Sequence, residues 1–412
     1  MDDFFNVLQI EELTDILQKV PCLEKEELEL EHCRGRYLAS DVTAPEDLPA
    51  TNRSCMDGYA VKAADTFGAS ENNPAYLEKI KDLGICDIPD FAMTPESCAG
   101  VVTGGVLPQG SDAVVMQEYT HEMGAGTIEI RRPVAPWENV MFRGEDVTRG
   151  DTAIATGQRA GFRHTAMMAA LGIKSWLFYK TPGVGIISTG DELMEISSPM
   201  QAGRIRDVNS HALAHLVRGC NAEPRLFGII RDREADLKKA LETALETSDV
   251  LLISGGSSVG QRDFTLKAMQ AIEGLEILAH GLAISPGKPT IFARINNKYV
   301  WGLPGQVGSA QVVMLVLVLP FLNHLQGAQH AFNEDETGLV QARLTRNLAS
   351  RYGRKDYVRV RLGEDEQGFT ATPVLGKSGL LKTVFQADGL IWIPSNYEGL
   401  ARGEKVKVRI LP

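Results

Sequence analysis

The sequence predicts a multidomain protein in which an open α/β domain is combined with β-rich domains. Strands and helices alternate with short turns from Val184 to about residue 273, an order typical of an open, parallel α/β sheet. Short β-like runs, broken by Gly and Pro, fill residues 58–140, and short strands return after Gly327. A chain of 412 residues is long enough for two to four such domains.

Hydrophobic periodicity predicts the elements of each segment in turn. Apolar residues at helical spacing predict an amphipathic helix over 9–19, which Pro21 ends. The α/β segment predicts strands at 184–188, 224–230 and 249–253, and helices at 210–218, 234–246 and 264–273. The β-rich segments predict strands at 100–102, 112–116, 339–344, 357–362, 390–394 and 405–411. The apolar run from Val312 to Leu322 is too short to span a bilayer and predicts a buried helix.

The composition is that of a globular protein with an acidic surface. The net charge of −11 argues against a general nucleic-acid or anionic-membrane surface, although a pocket can still bind a small anion. None of the six cysteines forms a CxxC pair, which disfavours a zinc ribbon or a redox dithiol. The N-terminus lacks the basic and apolar regions of a signal peptide. We therefore expect a cytoplasmic protein without a membrane span.

The glycine-rich segment Ser254–Asp263 is the strongest indication of a ligand site. It connects the predicted strand 249–253 to the helix that begins near Phe264. Such a turn exposes backbone N–H groups at a helix N-terminus, an arrangement that binds anions and above all phosphate. Asp263 adds a carboxylate where a divalent cation could bridge to phosphate. A tight turn without a ligand is the alternative.

Two further polar turns are expected on the same rim of the sheet. Ligands of open α/β sheets bind beyond the carboxyl ends of the strands, where Ser188–Glu192 and Arg231–Asp232 both fall. Asp191 and Glu192 are expected where a helix begins. They would then either complement that helix terminus or serve in metal binding or acid–base chemistry.

Other loops carry weaker signals. Prolines on both sides hold Lys288 in the loop Ile284–Pro289, where it would contact an anion or remain solvated. Gly302–Gln306 is a second turn of the kind that binds phosphate, since an apolar helix follows it. Asp57 followed by glycine is typical of a turn, and Arg143–Asp146 is typical of a surface loop. His211 and His215 share a helix face without the glutamate of a zinc-binding HExxH motif.

Taken together, these segments resemble a known family, molybdopterin molybdenumtransferase (the MoeA and gephyrin E-domain family). The resemblance covers about residues 10–410. It rests on seven motifs in order: Met56–Val61, Val102–Gly105, Arg143–Asp146, Ser188–Leu193, Ser254–Gly260, Pro286–Pro289 and Gly302–Gly305.

The resemblance implies four domains. These are an elongated linker domain formed by 1–45 and 140–180, a β-rich domain over 46–139, a molybdopterin-binding α/β domain over 181–327 and a C-terminal β-barrel domain over 328–412. It also implies a homodimer that inserts molybdate into adenylylated molybdopterin and releases AMP with the help of Mg²⁺. A molybdopterin adenylyltransferase and acceptor molybdoenzymes are the protein partners that it suggests.

The resemblance also implies roles for individual residues. Asp57, Glu192, Asp232 and Asp263 would be catalytic, and Asp232 and Asp263 would hold the metal. The residues implied in substrate binding are Thr103, Arg143, Asp146, Gly255, Gly256, Ser257, Ser258, Gly260, Lys288, Pro304 and Ser378. Asp57 and Thr103 would reach the cleft from the partner subunit.

The chain departs from the family pattern at two loops. Gly281 and Ser285 stand where the family commonly has lysines, and Gln306 and Val307 replace an asparagine and a proline. Each lost ammonium group weakens anion binding by about 1.5–3 kcal/mol unless Arg206 or Arg262 compensates. The oxyanion could therefore be tungstate in place of molybdate.

Two other functions stay open at this point. A molybdopterin adenylyltransferase would share the α/β domain, but that class usually lacks the extra β domains. A slow or non-catalytic molybdopterin-binding scaffold would agree with the missing lysines, whereas the four retained carboxylates argue against it.

Overall fold

A computed structural model describes residues 7–255, 264–333 and 338–412. The chain forms two compact units. The first contains Met1–Ala39, Gly157–Ala160 and Leu177–Pro412, and the second contains Ser40–Thr156 and Gly161–Trp176. The division into four domains that the resemblance implies stays a prediction.

The first unit is built around a six-stranded sheet. Its strands, in chain order, are β1 (Gly183–Thr189), β2 (Glu223–Ile230), β3 (Val250–Ser254), β4 (Glu276–His280), β5 (Ile291–Ile295) and β6 (Lys298–Leu303). Their order across the sheet is β2-β1-β3-β6-β5-β4. The first three strands agree with those predicted from the sequence, and the last three were not predicted.

The parallel arrangement predicted for the strands between Val184 and residue 273 is confirmed, and an antiparallel edge that was not predicted adds to the sheet. Strands β1, β2, β3 and β6 are parallel, whereas β5 is antiparallel to both β6 and β4. The physical reason is the two-residue turn between β5 and β6, because a parallel pair needs a crossover of a dozen or more residues. Asn296 adopts a φ of +52° in this turn, a conformation that asparagine tolerates better than most residues.

Helices cover both faces of this sheet. On one face, α1 (Asn209–Gly219), the N-terminal helix (Ile10–Gln18) and the apolar helix (Val307–Leu325) share a core with β1 and β6. On the other face, α2 (Glu234–Thr247) and α3 (Phe264–Gln270) pack on β1 and β3. Full burial of one large apolar side chain contributes about 1.5–3 kcal/mol, so these two cores fix the strand ends firmly.

The apolar helix confirms the expected buried segment. It consists of α-helical Val307–Val313, a π-helical stretch Met314–Val318 and α-helical Leu319–Leu325. Within the described residues it is long and apolar enough to cross a membrane, but 61% of it is buried inside the protein. The core helix of a globular protein meets the same length and composition test, so the helix is weak evidence for a membrane span.

A closed five-stranded barrel follows, as predicted. Its strands are Leu339–Leu344, Lys355–Asp365, Gly368–Pro373, Gly389–Ile393 and Lys405–Ile410. The long strand Lys355–Asp365 closes the barrel because it pairs with both Gly368–Pro373 and Gly389–Ile393. The short strand Ile284–Ser285 adds to it in parallel, and the short helix Leu381–Phe385 was not predicted.

The second unit contains another six-stranded sheet. Its strands are Gly58–Val61, Ala75–Leu83, Ser97–Val101, Ala113–Met116, Thr120–Gly124 and Thr127–Ile130. The helix Phe162–Ala170 belongs to this unit and was not predicted. The other short strands of the described residues are Lys25–Glu29, Val42–Thr43, Arg53–Ser54, Val140–Met141, Thr152–Ile154, Ser175–Tyr179, Leu193–Met194, Ile205–Arg206, Leu348–Ala349 and Gly399–Leu400.

Candidate functional site

A cavity of about 1310 Å³ opens at the carboxyl ends of the parallel strands. Thr189 of β1, Ser254 of β3 and Pro304 after β6 all line it. Asp232, which follows β2, lines the same cavity. The shared rim expected from the sequence is therefore present within the first unit, and the barrel contributes Gly379 and Leu381 to the wall.

Asp232 is held in place by its neighbour on the next strand. Thr189 Oγ1 donates a hydrogen bond of 2.6 Å to Asp232 Oδ1. Asp232 is half-buried and faces the cavity. Because each carboxylate oxygen can accept more than one hydrogen bond, Asp232 keeps acceptor capacity for a ligand or a cation.

Asp191 and Glu192 do not begin a helix, so that expectation was wrong. Leu193 N–H bonds the Gly190 carbonyl to close a turn, and the short strand Leu193–Met194 then pairs with Ile205–Arg206. The backbone N–H and C=O groups that a helix would need for its own hydrogen bonds are used in this strand pairing. Both acids are exposed and line the cavity, where they remain available for a cation or a proton.

The first residue of the glycine-rich turn can only be glycine. Gly255 has a φ of +112°, and a Cβ at this position would lie 2.1 Å from the Thr189 carbonyl oxygen. Any other residue type at this position would place its Cβ against the β1 backbone, so glycine is what lets the turn lie this close to β1. Gly256, Ser257, Ser258, Gly260, Arg262 and Asp263 lie outside the described residues, so their roles stay predictions.

The second glycine turn leads directly into the apolar helix. Gln306 precedes the helix, and Val307 and Ser309 line the cavity on either side of Gly308. Gly308 N–H donates to the Ser378 carbonyl at 2.9 Å, which joins the helix start to the barrel loop. Ser378 therefore lies at the edge of the site, next to the cavity-lining Gly379.

Arg359 is a candidate binding residue that the sequence analysis missed. Its Nη2 atom is buried and has no hydrogen-bond partner within the part of the chain that the structure describes. Burial lowers the pKa of this guanidinium because it penalises the charged form. A Cβ placed on Gly308 would lie 2.0 Å from that Nη2 atom. Arginine charge beside a helix N-terminus favours an anion, since the helix dipole acts in the same sense.

A weak signal for Arg359 was present in the strand pattern. Residues of a strand alternate between two faces, which puts Arg359 on the same face as Tyr357. Tyr357 packs in the core shared with the α/β sheet. An arginine beside a buried tyrosine on one strand face is a candidate for a buried charge. Arg359 could be selected from the sequence only if it were known which face of the barrel packs against the α/β sheet.

Lys288 lies on the loop that borders the cavity. Its side chain is exposed, and the neighbouring Pro289 lines the cavity. Ser285 is half-buried before a cis peptide bond to Pro286. Gly281 has a φ of +92°, a conformation that strains a lysine. Arg206 does line the cavity, where its Nη2 donates to the Ser198 carbonyl at 3.2 Å.

Four of the expected site residues belong to the second unit. Thr103 N–H and Oγ1 both donate to Asp57 Oδ1, at 2.7 and 3.0 Å. These two hydrogen bonds, the backbone one first, hold the pKa of the exposed Asp57 carboxyl below its usual value. Arg143 is instead paired with Asp47, and Asp146 bonds the backbone of Leu48 through its own N–H. The pairing of Asp57 with Thr103 therefore forms a local polar site.

The acids at the cavity suit a hard divalent cation. Asp191, Glu192 and Asp232 offer carboxylate oxygens, the ligands that Mg²⁺ prefers. Elsewhere in the described residues, Glu29, Glu31 and His32 bring ligand atoms within 4.8 Å of one another. All three are exposed, and such surface groups are common without an ion. The assignment of Asp232 and Asp263 as metal ligands stays a prediction.

Family models match nearly the whole chain. Residues 8–172 match the MoeA N-terminal region (domains I and II), and residues 185–324 match a probable molybdopterin binding domain. Residues 341–411 match the MoeA C-terminal region (domain IV).

Relatives of similar length agree with these matches. A protein of Methanocaldococcus jannaschii named for molybdopterin biosynthesis is 36% identical over 93% of this chain and 92% of its own. The molybdopterin molybdenumtransferase of Haemophilus influenzae is 30% identical over 95% of this chain and 96% of its own. That of Bacillus subtilis is 32% identical, with 94% and 90% covered.

Solved structures show the same architecture. The molybdopterin biosynthesis MoeA protein of Pyrococcus horikoshii superposes with a TM-score of 0.80 and 34% identity. The superposition covers 98% of this chain and 99% of that one. A second structure of a MoeA protein from the same organism gives a TM-score of 0.83 and 31% identity.

Proposed function

Because the chain belongs to the MoeA family, we propose that it works as a molybdopterin molybdenumtransferase in molybdenum cofactor biosynthesis. In this reaction molybdate is inserted into the dithiolene of adenylylated molybdopterin, and AMP is released. The relatives with this name align along at least 90% of their length, which supports the activity of the whole protein. The shape and polarity of the cavity support the proposal independently.

The unpaired Nη2 atom of Arg359 is the observation that supports an anionic substrate. The buried Nη2 atom of Arg359 has no partner among the described residues, and leaving it unpaired is costly, so a bound anion would satisfy it. The start of the apolar helix lies beside it, where the Gly308 N–H is bonded to the Ser378 carbonyl. We assign this corner to the oxyanion, with Lys288 at its outer edge.

The adenylate and its phosphates would occupy the other end of the cavity. Gly255 lets the turn pack against β1 at the end of β3. The predicted residues 256–260 would then cradle the phosphates. Pro304 would form the wall between the phosphates and the oxyanion corner. The two binding regions would thus bring oxyanion and nucleotide to one side of the sheet.

Mg²⁺ would neutralise the phosphate groups when bound. Asp232, oriented by Thr189, and the predicted Asp263 are its proposed protein ligands, with Glu192 close by in the cavity wall. A cation in this place stabilises the negative charge that develops on the leaving AMP. Glu192, which is exposed to the cavity, is our candidate for moving a proton during the release step.

We also propose that the protein acts as a cytoplasmic homodimer. Asp57 and Thr103 form a preorganised pair, and we assign them to the cleft of the partner subunit. Arg143 and Asp146 would flank that pair. A molybdopterin adenylyltransferase would supply the substrate, and acceptor molybdoenzymes would take the product.

The choice between molybdate and tungstate depends on the oxyanion corner. Gly281 and Ser285 remove two lysines, but Arg359 restores one fixed positive charge close to the helix start. We therefore propose that molybdate is the substrate and that arginine replaces lysine as the principal cation.

The test is AMP release from adenylylated molybdopterin with molybdate or tungstate as the oxyanion. We expect release that depends on both Mg²⁺ and the oxyanion, with molybdate preferred. Consumption of ATP to form adenylylated molybdopterin would identify an adenylyltransferase instead. Tight pterin binding without turnover would identify a scaffold, and absence of pterin binding would reject all three functions.

A further inference from the structure

Asn209 is a buried amide at the wall of the cavity whose hydrogen bonds connect three elements. It is the first residue of α1 and is only 8% exposed. Its Nδ2 atom donates to Ser254 Oγ at 2.6 Å and to the Gly305 carbonyl at 2.9 Å. A carbonyl oxygen can only accept, so the nitrogen and not the oxygen of this amide must face Gly305.

The two acceptors belong to the two turns of the site. Ser254 ends β3 immediately before Gly255, and Gly305 lies between β6 and the apolar helix. The turns also touch directly, since Gly255 N–H donates to the Leu303 carbonyl at 3.3 Å. A Cβ on Gly305 would lie 3.4 Å from Gly255 Cα. The Asn209 amide is therefore the side-chain link across a backbone contact that both turns share.

We propose that Asn209 is a positioning residue that fixes the turn at Gly255, assigned to the nucleotide, against the turn Gly302–Gln306, which leads into the oxyanion corner. This inference rests on the proposed function and deepens it. Two donor hydrogens on one nitrogen are needed to reach both acceptors from the start of α1. Aspartate has none, and serine has only one. Without them, the buried Ser254 hydroxyl and the Gly305 carbonyl lose a partner, and the spacing of the turns is set by the backbone alone.

The first test compares Asn209→Ala with Gln326→Ala as a matched control. Gln326 is another buried amide, and its Nε2 donates to the Cys220 and Leu322 carbonyls at the far end of the apolar helix. Both variants lose two hydrogen bonds, so we expect similar decreases in Tm. AMP affinity, measured by calorimetry, should fall about tenfold or more in Asn209→Ala and stay at the wild-type value in Gln326→Ala. Equal losses in the two variants would overturn the proposal.

Kinetics separate positioning from general destabilisation. Asn209→Ala should raise KM for the adenylylated substrate and lower kcat, because the turns no longer hold nucleotide and oxyanion at the required spacing. Gln326→Ala, assayed well below its Tm, should change neither. Asn209→Asp is the near-isosteric variant: it should resemble Asn209→Ala in KM, since the carboxylate cannot donate. Wild-type KM in Asn209→Asp would overturn the role of the donated hydrogen bonds.

A double-mutant cycle of Asn209→Ala with Ser254→Ala tests whether Asn209 affects AMP affinity through the Ser254 hydroxyl. If Asn209 acts partly through the Ser254 hydroxyl, the losses of AMP affinity in the two single variants will not add in the double variant. Strictly additive losses would mean that Asn209 does not act through Ser254, and would overturn its role as a link between the two turns.

Hydrogen exchange distinguishes failure of this inference from failure of the proposed function. In the ligand-free protein, the amides of Gly305–Val307 should exchange faster in Asn209→Ala than in Gln326→Ala. If the wild type neither binds AMP nor releases it, the proposed function is wrong, but this exchange result still decides whether Asn209 holds the turn. Unchanged exchange in Asn209→Ala would overturn the inference whatever the reaction is.

Discussion

Arg359 and Gly308 form a close pair: a Cβ on residue 308 would lie only 2.0 Å from the buried Nη2 atom of the arginine. The guanidinium can reach the start of the apolar helix only because residue 308 has no side chain. The same Cβ would also lie 2.8 Å from the Ser378 carbonyl oxygen, which accepts the Gly308 N–H. Glycine at this position thus lets both the arginine and the barrel loop pack against the start of the apolar helix, beside the cavity-lining Val307 and Ser309.

We predict that Gly308→Ala disrupts the oxyanion corner. The new methyl group must displace Arg359 or the Ser378 backbone, so molybdate affinity should fall at least about tenfold and stability should drop by about 1–3 kcal/mol. Calorimetry and thermal unfolding measure the two effects. Gly219→Ala in α1 is the control, because a Cβ there meets nothing within 4 Å. Unchanged molybdate affinity in Gly308→Ala would separate Arg359 from the oxyanion.

We predict that Arg359→Met loses oxyanion binding without losing stability. Removing a charged hydrogen-bond donor should cost about 1.5–3 kcal/mol of molybdate affinity, or one to two decades in Kd. The free protein should keep or raise its Tm, because a half-buried guanidinium with one unpaired buried nitrogen is replaced by an apolar side chain. Arg361→Met, on an exposed residue of the same strand, is the control. A clear drop in Tm with normal molybdate binding would show that Arg359 is only structural.

We predict that Asp57 remains ionised to a pH below the usual carboxyl range. The Thr103 N–H and then the Thr103 hydroxyl lower its pKa, so this pair contributes stability above the unfolded pKa of about 3.9. That contribution disappears as the pH falls through the lower folded value. Thr103→Val should raise the pKa of Asp57 only part of the way, because the N–H donor stays. A carboxyl-carbon NMR titration measures this, and an ordinary pKa in the wild type would contradict it.

We predict that Ser285→Lys tightens molybdate binding at low salt. One added ammonium group near an anion in a partly desolvated cleft contributes about 1.5–3 kcal/mol, and the gain should shrink as salt screens it. Titrations at two ionic strengths, with molybdate and tungstate, measure the gain. Affinity that stays flat or falls would mean that Arg359 or Arg206 already occupies this place. Gly281→Lys is a poor substitute, because its φ of +92° strains any side chain.

The sequence predicted the parts of the fold that follow from local periodicity. The β1, β3 and α2 segments lie within about two residues of their expected positions, since buried strands and amphipathic helices carry their own pattern. The hairpin of β5 and β6 was missed because its register depends on pairing with β3, which no local pattern shows. The turn after Thr189 was misread as a helix start, because strand pairing with Ile205–Arg206 overrides the local preference of two acids.

Only those residues of the candidate site that belong to recognisable sequence motifs could be predicted. Asp232, Gly255 and Pro304 meet at one cavity because strand ends of a parallel sheet share an edge. Arg359 and Asn209 could not be selected in the same way. Each is an ordinary polar residue in the sequence, and each gains its significance from burial against a segment distant in the chain.

The short strand Ile284–Ser285 has a consequence for dissecting the protein. It extends the barrel ladder from within the α/β segment, and barrel residues Tyr357 and Leu390 are buried in the α/β core. A fragment that ends before the barrel would therefore leave an unpaired strand edge beside newly exposed apolar surface. Such a fragment should aggregate, since both features promote association with other chains.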